Sequence, residues 1–365
     1  MKKNHLHWIN RCIELAEIGR GHVSPNPMVG ACVVKNGKLI AEGWHPYFGG
    51  PHAEAAALRK AGPRANGASL YVSLEPCSTF GKTPACTETI IKSGIREVVI
   101  GVLDPNPRHH KKGIAILKKA GIKVTSGILA DQAAAQNESF FTFHKKKRPF
   151  VAVKMAESLD GKITTVKHSR EWISGLEARE WTHRLREEAD ALIVGTQTIK
   201  VDNPRMTPYL LNSHKPRKPL RVVLDRSLTL GKSFKVFGDE AKTIVFTSAK
   251  QPKSKIENYS KSHRVDVFPV RETEEGLEVK AILKHLYRLG ITSMMVEGGG
   301  ELIASFLKAK AVDKFYMFVA PFILGGRNTV TSVEGDGIPS VKNAIRLKDV
   351  KHSKIGGDIL IEGRL

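Results

Sequence analysis

Along the first third of the chain the apolar positions alternate between a helical and a strand period. Residues 5–19 repeat at helical spacing and close at Gly19 and Gly21, which predicts an amphipathic helix. Residues 29–45 alternate, with Asn36-Gly37 between two apolar runs, the strongest short-range signal for a hairpin. A helix is predicted over 52–62, stopped by Gly62, and a strand over 69–77. Next come a helix over 84–94, with Thr83 as N-cap and Pro84 at its first position, a strand over 97–106, a helix over 113–121 and a short strand over 123–129. Residues 144–149 read HKKKRP, a charged run before proline that reads as a linker. A second alternation follows, with strands expected within 150–162, 189–195, 221–225, 243–248, 293–300 and 314–326, and a Pro-, Asn- and Lys-rich loop over 203–219. Strands alternating with helices define an α/β protein, here with two domains, 1–146 and 147–365.

The length of 365 residues suits two domains, and 41% hydrophobic with 26% charged residues is ordinary globular usage. No apolar run reaches the length of a membrane span, and the lysines near the N-terminus lead into no apolar stretch, so no secretory signal is expected and the cytoplasm is the expected compartment. Four cysteines are too few for a disulfide framework; Cys12 and Cys32 read as small buried hydrophobes. The formal net charge of +22 points to anionic partners. The basic residues, however, lie in short scattered clusters (Lys111-Lys112, Lys118-Lys119, Lys145 to Arg148, Lys215 to Lys218) without interleaved aromatics. That pattern fits a solvated surface with phosphorylated small molecules taking a few charges, rather than nucleic acid.

His52, Cys77 and Cys86 form a constellation with Glu54. One imidazole and two thiolates suit zinc and leave a fourth position for water, whose pKa zinc lowers to about 7. Cys86 falls in the first turn of a helix, where the helix dipole favours thiolate. An H-x-E…P-C-x-x-C pattern marks zinc deaminases, with the Glu as general acid/base and not a ligand; here the second half is stretched to C-x8-C. No fourth ligand is evident nearby, and Glu54 has no structural task in a closed zinc site, so hydrolytic deamination is the reading. Farther along, Val296-Glu297-Gly298-Gly299-Gly300-Glu301 follows an apolar run and precedes a helical stretch, a turn in which glycines let backbone N–H groups approach an anion. It is not the G-x-G-x-x-G order of a Rossmann fingerprint.

Several further stretches then stand out: Ser24-Pro25-Asn26-Pro27-Met28-Val29-Gly30, Gly50-Pro51-His52-Ala53-Glu54, Leu74-Glu75-Pro76-Cys77-Ser78, Gly81-Lys82-Thr83-Pro84, Asp104-Pro105-Asn106-Pro107, Ser158-Leu159-Asp160-Gly161, Trp172-Ile173, Asp202-Asn203-Pro204 and Val296-Glu297-Gly298-Gly299. In this order, along nearly the whole chain, they resemble the bifunctional riboflavin biosynthesis deaminase-reductases. The resemblance implies a cytidine-deaminase-like three-layer α/β/α domain followed by a dihydrofolate-reductase-like α/β domain. It implies zinc-dependent deamination of 2,5-diamino-6-ribosylamino-4(3H)-pyrimidinone 5′-phosphate, then reduction of the ribosyl side chain to ribityl by NADPH. Carried over residue by residue, it places Asn26, His45, Lys82, Asp104 and Asn106 on the deaminase substrate. It places Arg186 and Glu297 on the reductase substrate, with Arg205 and Met206 beside them, and Lys154 near the reacting ribose. Glu157, Trp172, Thr198, Asp202 and Gly298, Gly299 and Gly300 would meet the cofactor. A homo-oligomer, dimer or tetramer, is also expected.

The chain departs from the family pattern in places. Many members carry a His two residues after the first zinc Cys, where this chain has Thr79, and Pro84-Ala85 replaces a Pro-Pro pair. Tyr209 stands where a phosphate-binding Arg is expected, and Arg170 where a Ser is expected. A phenol cannot replace a bidentate guanidinium, so Arg170 or Arg205 is expected to supply the charge. Three other readings follow from the same residues: an active deaminase with an impaired or altered reductase half, a nucleic-acid base deaminase, which leaves the glycine-turn domain without a task, and a non-catalytic zinc protein, which leaves Glu54 without one.

Overall fold

A computed structural model describes residues 2–79, 84–165, 171–208 and 217–365. The chain divides into two compact units, residues 1–147 and 148–365.

The first unit contains α1 (Lys2–Ala16), β1 (Gly30–Lys35), β2 (Lys38–Trp44), α2 (Ala53–Ala61), β3 (Ser69–Leu74), α3 (Cys86–Lys92), β4 (Glu97–Val102), α4 (Lys112–Lys119), β5 (Lys123–Ser126), α5 (Ala130–Gln136) and α6 (Glu138–Lys146). Its sheet has the order β2-β1-β3-β4-β5, antiparallel around β1 and parallel from β3 to β5. The Asn36-Gly37 hairpin forms as its sequence requires, with both residues at positive φ (52° and 75°). Alternation along β1 separates two cores. Ala31 and Val33 pack with α2, α3 and α4 through Ala57, Ile90 and Leu117. Cys32 and Val34 pack with Ile9, Cys12 and Leu15 of α1. The unit is therefore three layers, α/β/α, and Cys12 and Cys32 are fully buried core residues. An isolated helix of this length is marginal; burying Ile9 and Leu15, at about 1.5–3 kcal/mol each, docks α1. On the opposite face, a Cβ at Gly43 would stand 2.7 Å from Ala53 O and 2.6 Å from Ala57 N. Backbone contact thus sets α2, and with it His52 and Glu54, directly on β2.

Two expectations are corrected. The run 144–149 is not all linker, because α6 continues through Lys146 and stops at Lys147, whose φ is 55°. Phe140 and Thr142 bury one face of α6, which carries the charged tail along as helix. The helix expected from Pro84 begins at Cys86, after Ala85, with no side-chain cap. Its first amides are satisfied by Cys77 instead: Cys86 N–H donates to Cys77 Sγ (3.3 Å) and Thr87 N–H to Cys77 O (3.3 Å). Thr83 lies outside the described residues.

The second unit contains β6 (Phe150–Ser158), α7 (Leu176–Glu188), β7 (Ala191–Gly195), α8 (Thr196–Asp202), β8 (Leu220–Leu224), β9 (Thr243–Ser248), α9 (Lys253–His263), β10 (Asp266–Val270), the short pair β11 (Glu272–Thr273) and β12 (Gly276–Leu277), α10 (Val279–Arg288), β13 (Ser293–Val296), α11 (Gly300–Lys308), β14 (Lys314–Ala320), β15 (Lys348–Ile355) and β16 (Asp358–Arg364). The sheet order is β10-β9-β8-β7-β13-β6-β14-β16-β15. Neighbours from β10 to β14 are parallel, and β16 and β15 close the edge antiparallel. Leu283 and Leu286 of α10 and Phe306 of α11 cover one face, while Leu185 of α7, Ile199 of α8 and Tyr259 of α9 cover the other. In such a sheet ligands bind beyond the carboxyl ends of the strands. Glu157 at the end of β6, Thr198 after β7 and the Glu297-to-Gly300 turn after β13 all lie there. The described parts of the 203–219 loop, 203–208 and 217–219, carry neither helix nor strand.

Candidate active sites

The first site is assembled where α2, the end of β3 and the start of α3 meet. His52 precedes α2 in an extended conformation. Its Nδ1 lies 3.1 Å from Cys86 Sγ and 3.6 Å from Cys77 Sγ, and the three donor atoms all lie within 4.8 Å of one another. Tetrahedral zinc with sulfur at about 2.3 Å and nitrogen at about 2.0 Å needs neighbouring donors about 3.5–3.8 Å apart; the His52–Cys77 separation matches, and the 3.1 Å His52–Cys86 separation needs only a few tenths of an ångström of widening to seat zinc. Among the described residues no fourth His, Cys, Asp or Glu joins the group. The helix dipole is expected to favour a thiolate at Cys86; the first amide of α3, Cys86 N–H, donates to the Cys77 sulfur. Hydrogen bonds from Cys86 and His52 lower the Cys77 thiol, whereas Cys86 is raised. Glu54, in the first turn of α2, is buried (4% exposed). Burial raises its carboxyl, and the neighbouring His52 opposes that only in part.

Asn26 and His45 form one unit. His45 Nδ1–H donates to Pro51 O (2.9 Å), which leaves Nε2 to accept from the Asn26 amide (3.1 Å). Burial lowers the His45 imidazole, which matches this neutral tautomer. Asp104 is buried, and burial pushes its carboxyl up to about 7, with the charge of Glu75 adding. Asp104 accepts from Asn106 N–H (2.7 Å), and Asn106 Oδ1 accepts from Arg108 N–H (3.1 Å).

One residue that sequence reasoning passed over holds this loop. Glu75, buried between β3 and Cys77, accepts backbone N–H groups from Asp104 (3.2 Å), Lys111 (3.0 Å) and Ile114 (3.4 Å). The loop bearing Asp104 and Asn106 is thus clamped to the same strand end that delivers Cys77. A charged residue two positions before a ligand Cys, just past the end of a fully buried strand, was the available signal. Thr79 is exposed, but an imidazole reaches the Cys77-Ser78 corner from elsewhere: His109 Nδ1 lies 3.4 Å from both the amide and the hydroxyl of Ser78. Lys82 lies outside the described residues.

In the second unit Arg186 on α7 meets Glu297 after β13 in a bidentate pair, Nε and one terminal nitrogen each 2.6 Å from a carboxylate oxygen. Burial raises the Glu297 carboxyl, but Arg186 and Lys154 outweigh it and the net shift is downward. Lys154 on β6 has its Nζ 5.6 Å from the Phe318 ring centroid. Burial pushes its ammonium down to about 8, partly offset by Glu297. His183, also on α7, is pushed down to about 4, chiefly by burial with Arg186 adding. Trp172 is exposed and carries the Arg179 guanidinium 4.6 Å over its ring. Thr198, Asp202 and Glu157 are half-buried. In the glycine turn, a Cβ at Gly300 would meet Glu334 Cγ at 2.5 Å and Thr331 O at 2.7 Å, whereas Gly299 faces open space and Gly298 abuts Leu302. Gly300 is thus fixed by packing, and Gly299 is the position a ligand can approach. Arg205 is exposed and pairs with Glu240 (3.2 Å). The Met206 side chain is buried in the core beside Ile199, so only its backbone remains to meet a ligand. Arg170 and Tyr209 lie outside the described residues.

Two family profiles match the two units. Residues 2–102 match the cytidine and deoxycytidylate deaminase zinc-binding region, and residues 149–361 match the RibD C-terminal domain. Fold and sites together define a two-part enzyme, a zinc-type deaminase joined to a reductase. Similar proteins extend this over the full length. The riboflavin biosynthesis protein RibD of Aquifex aeolicus is 40% identical, covering 97% of this chain and 96% of its own, and that of Bacillus amyloliquefaciens is 40% identical over 97% and 94%. Among solved structures, Acinetobacter baumannii RibD superposes with a TM-score of 0.90 at 32% identity, covering all of both chains. A diaminohydroxyphosphoribosylaminopyrimidine deaminase/5-amino-6-(5-phosphoribosylamino)uracil reductase from Thermotoga maritima superposes with a TM-score of 0.85 at 38% identity, covering 100% of this chain and 99% of its own. The chain belongs to the RibD family of riboflavin biosynthesis proteins.

Proposed function

We propose that the first unit hydrolytically deaminates 2,5-diamino-6-ribosylamino-4(3H)-pyrimidinone 5′-phosphate and that the second reduces the ribosyl side chain of the product to ribityl with NADPH. The observation that carries the first step is the three-donor triangle of His52, Cys77 and Cys86 with the buried Glu54 beside it. His52, Cys77 and Cys86 would hold zinc, which would acidify a water to serve as nucleophile. Glu54 takes a proton from the attacking water and passes it to the departing nitrogen, so water enters and ammonia leaves. A carboxyl raised by burial holds a proton more readily, which suits a group that must take one and pass it on. The Pro51–His45–Asn26 chain fixes which way the Asn26 amide faces, so its oxygen is presented to a donor on the pyrimidine. Asp104 and Asn106 serve the other polar groups of the substrate.

In the second unit NADPH supplies the hydride, and the protein aligns donor and acceptor. The turn at Gly299 and the first amides of α11 receive a cofactor phosphate, while Trp172, Thr198, Asp202 and Glu157 line the nicotinamide side. Arg186 and Glu297 hold each other in register against the substrate. Lys154, lowered toward neutrality, gives a proton to the ribose ring oxygen as its bond to C1 breaks and C1 takes the hydride.

The protein works as a homo-oligomer. The outer edge strand β15 and the exposed apolar residues Ile338, Val341, Ile345 and Val350 support this, and light scattering would read the stoichiometry. Four free thiols support a cytoplasmic location, and among the described residues no helix is long and apolar enough to cross a membrane. Supplying the diamino-pyrimidinone ribosyl phosphate with NADPH, and following ammonia release and NADPH oxidation separately, tests both halves. Ammonia without oxidation would confine activity to the first unit.

A further inference from the structure

The loop after β4 carries five consecutive basic residues, Arg108-His109-His110-Lys111-Lys112, which the chemistry above leaves without a task. The run hangs beside the metal-ligand triangle and is held there firmly. Glu75 accepts the amides at both ends of the loop, at Asp104 and at Lys111 and Ile114. His110 Nδ1–H donates to Asp104 O (2.9 Å), and a Cβ at Gly113 would stand 2.3 Å from Pro76 O. Arg108 and His110 through Lys112 are exposed, whereas His109 is half-buried.

His109 differs from its neighbours in being turned inward to Ser78, the residue after ligand Cys77. The Ser78 amide can only donate, so Nδ1 of His109 accepts, at a long 3.4 Å, and the ring proton of the neutral imidazole must reside on Nε2. The contact therefore leaves a single ring donor, Nε2–H, on a side chain anchored next to ligand Cys77, in a segment whose neighbours Arg108, Lys111 and Lys112 are exposed cations. The pyrimidine's polar edge already has Asn26 and His45, a hydrogen-bonded pair. What remains for a donor in a cationic rim is an anionic group at the far end of the substrate.

We propose that His109 is a specificity-determining residue of the deaminase, donating from Nε2 to a phosphate-monoester oxygen of the substrate, with Arg108, Lys111 and Lys112 drawing that phosphate to the rim. This rests on the deaminase reading above. Exposed cations act mainly by steering, so their part fades as salt rises, whereas a direct hydrogen bond to a charged oxygen does not.

The test uses the zinc-loaded full chain without nicotinamide cofactor, so that only ammonia release is read. It compares the 5′-phosphorylated substrate with its dephosphorylated counterpart. For His109→Ala the expected result is a KM for the phosphorylated substrate raised about tenfold, the scale of one hydrogen bond to a charged group. The kcat stays within about twofold and KM for the dephosphorylated compound is unchanged, so the preference for phosphate falls about tenfold. His109→Gln, which keeps an N–H donor at similar reach, recovers part of that preference. Zinc content measured on both variants should equal that of the wild type. An unchanged preference in both variants would overturn the proposal, as would equal losses on both substrates or loss of zinc from both, which would make His109 a prop for Ser78. If the wild type released no ammonia from either compound, the deaminase reading itself would fail, a result distinct from any of these.

Discussion

Arg186 grips both carboxylate oxygens of Glu297 at 2.6 Å, joining α7 to the turn after β13 across 111 residues of sequence. Both side chains are largely buried, at 16% and 11% exposed. Removing one partner of such a pair leaves an uncompensated charge and costs about 3–5 kcal/mol, while replacing both with apolar groups is near neutral. Arg186→Met is therefore expected to lower the denaturant midpoint of the second unit and abolish NADPH oxidation, with ammonia release kept within about twofold. The double variant Arg186→Met/Glu297→Leu should regain most of the stability and none of the reductase activity. Recovery of both together would show that the pair is only a structural clasp.

Lys154 gives the reductase half a characteristic pH dependence. Its ammonium is pushed down to about 8 from an ordinary 10.5, chiefly by burial. Between those two values the unfolded chain holds a proton that the native chain has shed. This group's contribution therefore makes folding more favourable as pH rises from about 8 to 10.5, and its penalty is fully present below 8. Lys154→Met removes the titration. The wild type should gain stability relative to this variant across that window, read by chemical denaturation at successive pH values. The variant should have no measurable NADPH oxidation. Parallel stability curves would mean that Lys154 titrates as it does in water.

Glu75 should act on the deaminase without touching substrate. Its carboxylate takes three amides of the loop that positions Asp104 and Asn106, and hydrogen bonds to a charged acceptor contribute about 1.5–3 kcal/mol each. Glu75→Gln keeps the shape but can offer a donor where only acceptors fit. We expect KM for deamination to rise about tenfold, faster hydrogen exchange at Lys111 and Ile114, and unchanged zinc content. The acid limb of the pH profile should also shift, since the Glu75 charge helps raise Asp104. An unaltered pH profile with lowered stability would reduce Glu75 to a purely structural role.

Local chemistry made much of this architecture legible. Asn36-Gly37 demands a hairpin, and alternation in β1 assigns Ala31 and Val33 to one core and Cys32 and Val34 to the other. The metal triangle was readable because few other arrangements of His52, Cys77, Cys86 and Glu54 make chemical sense. Hidden features depended on tertiary contacts. The start of α3 is set by the Cys77 sulfur and carbonyl rather than by a capping side chain, which no local pattern encodes. The HKKKRP run looked like linker because Phe140 and Thr142, which carry it as helix, lie several residues earlier. Strand β15, KDVKHSKI, is exposed along nearly its whole length and offers no apolar period to read. His109 reaches Ser78 across 31 positions, a pairing that only the fold creates.

Deamination turns on Glu54 as the proton carrier beside the metal site. The direct measurement is ammonia release by zinc-loaded wild type and Glu54→Gln, at equal zinc content, on the diamino-pyrimidinone ribosyl phosphate. General acid/base assistance contributes about 10²–10⁴-fold, so the variant should retain its metal and lose at least a hundredfold in rate. Equal rates in the two proteins would contradict the account.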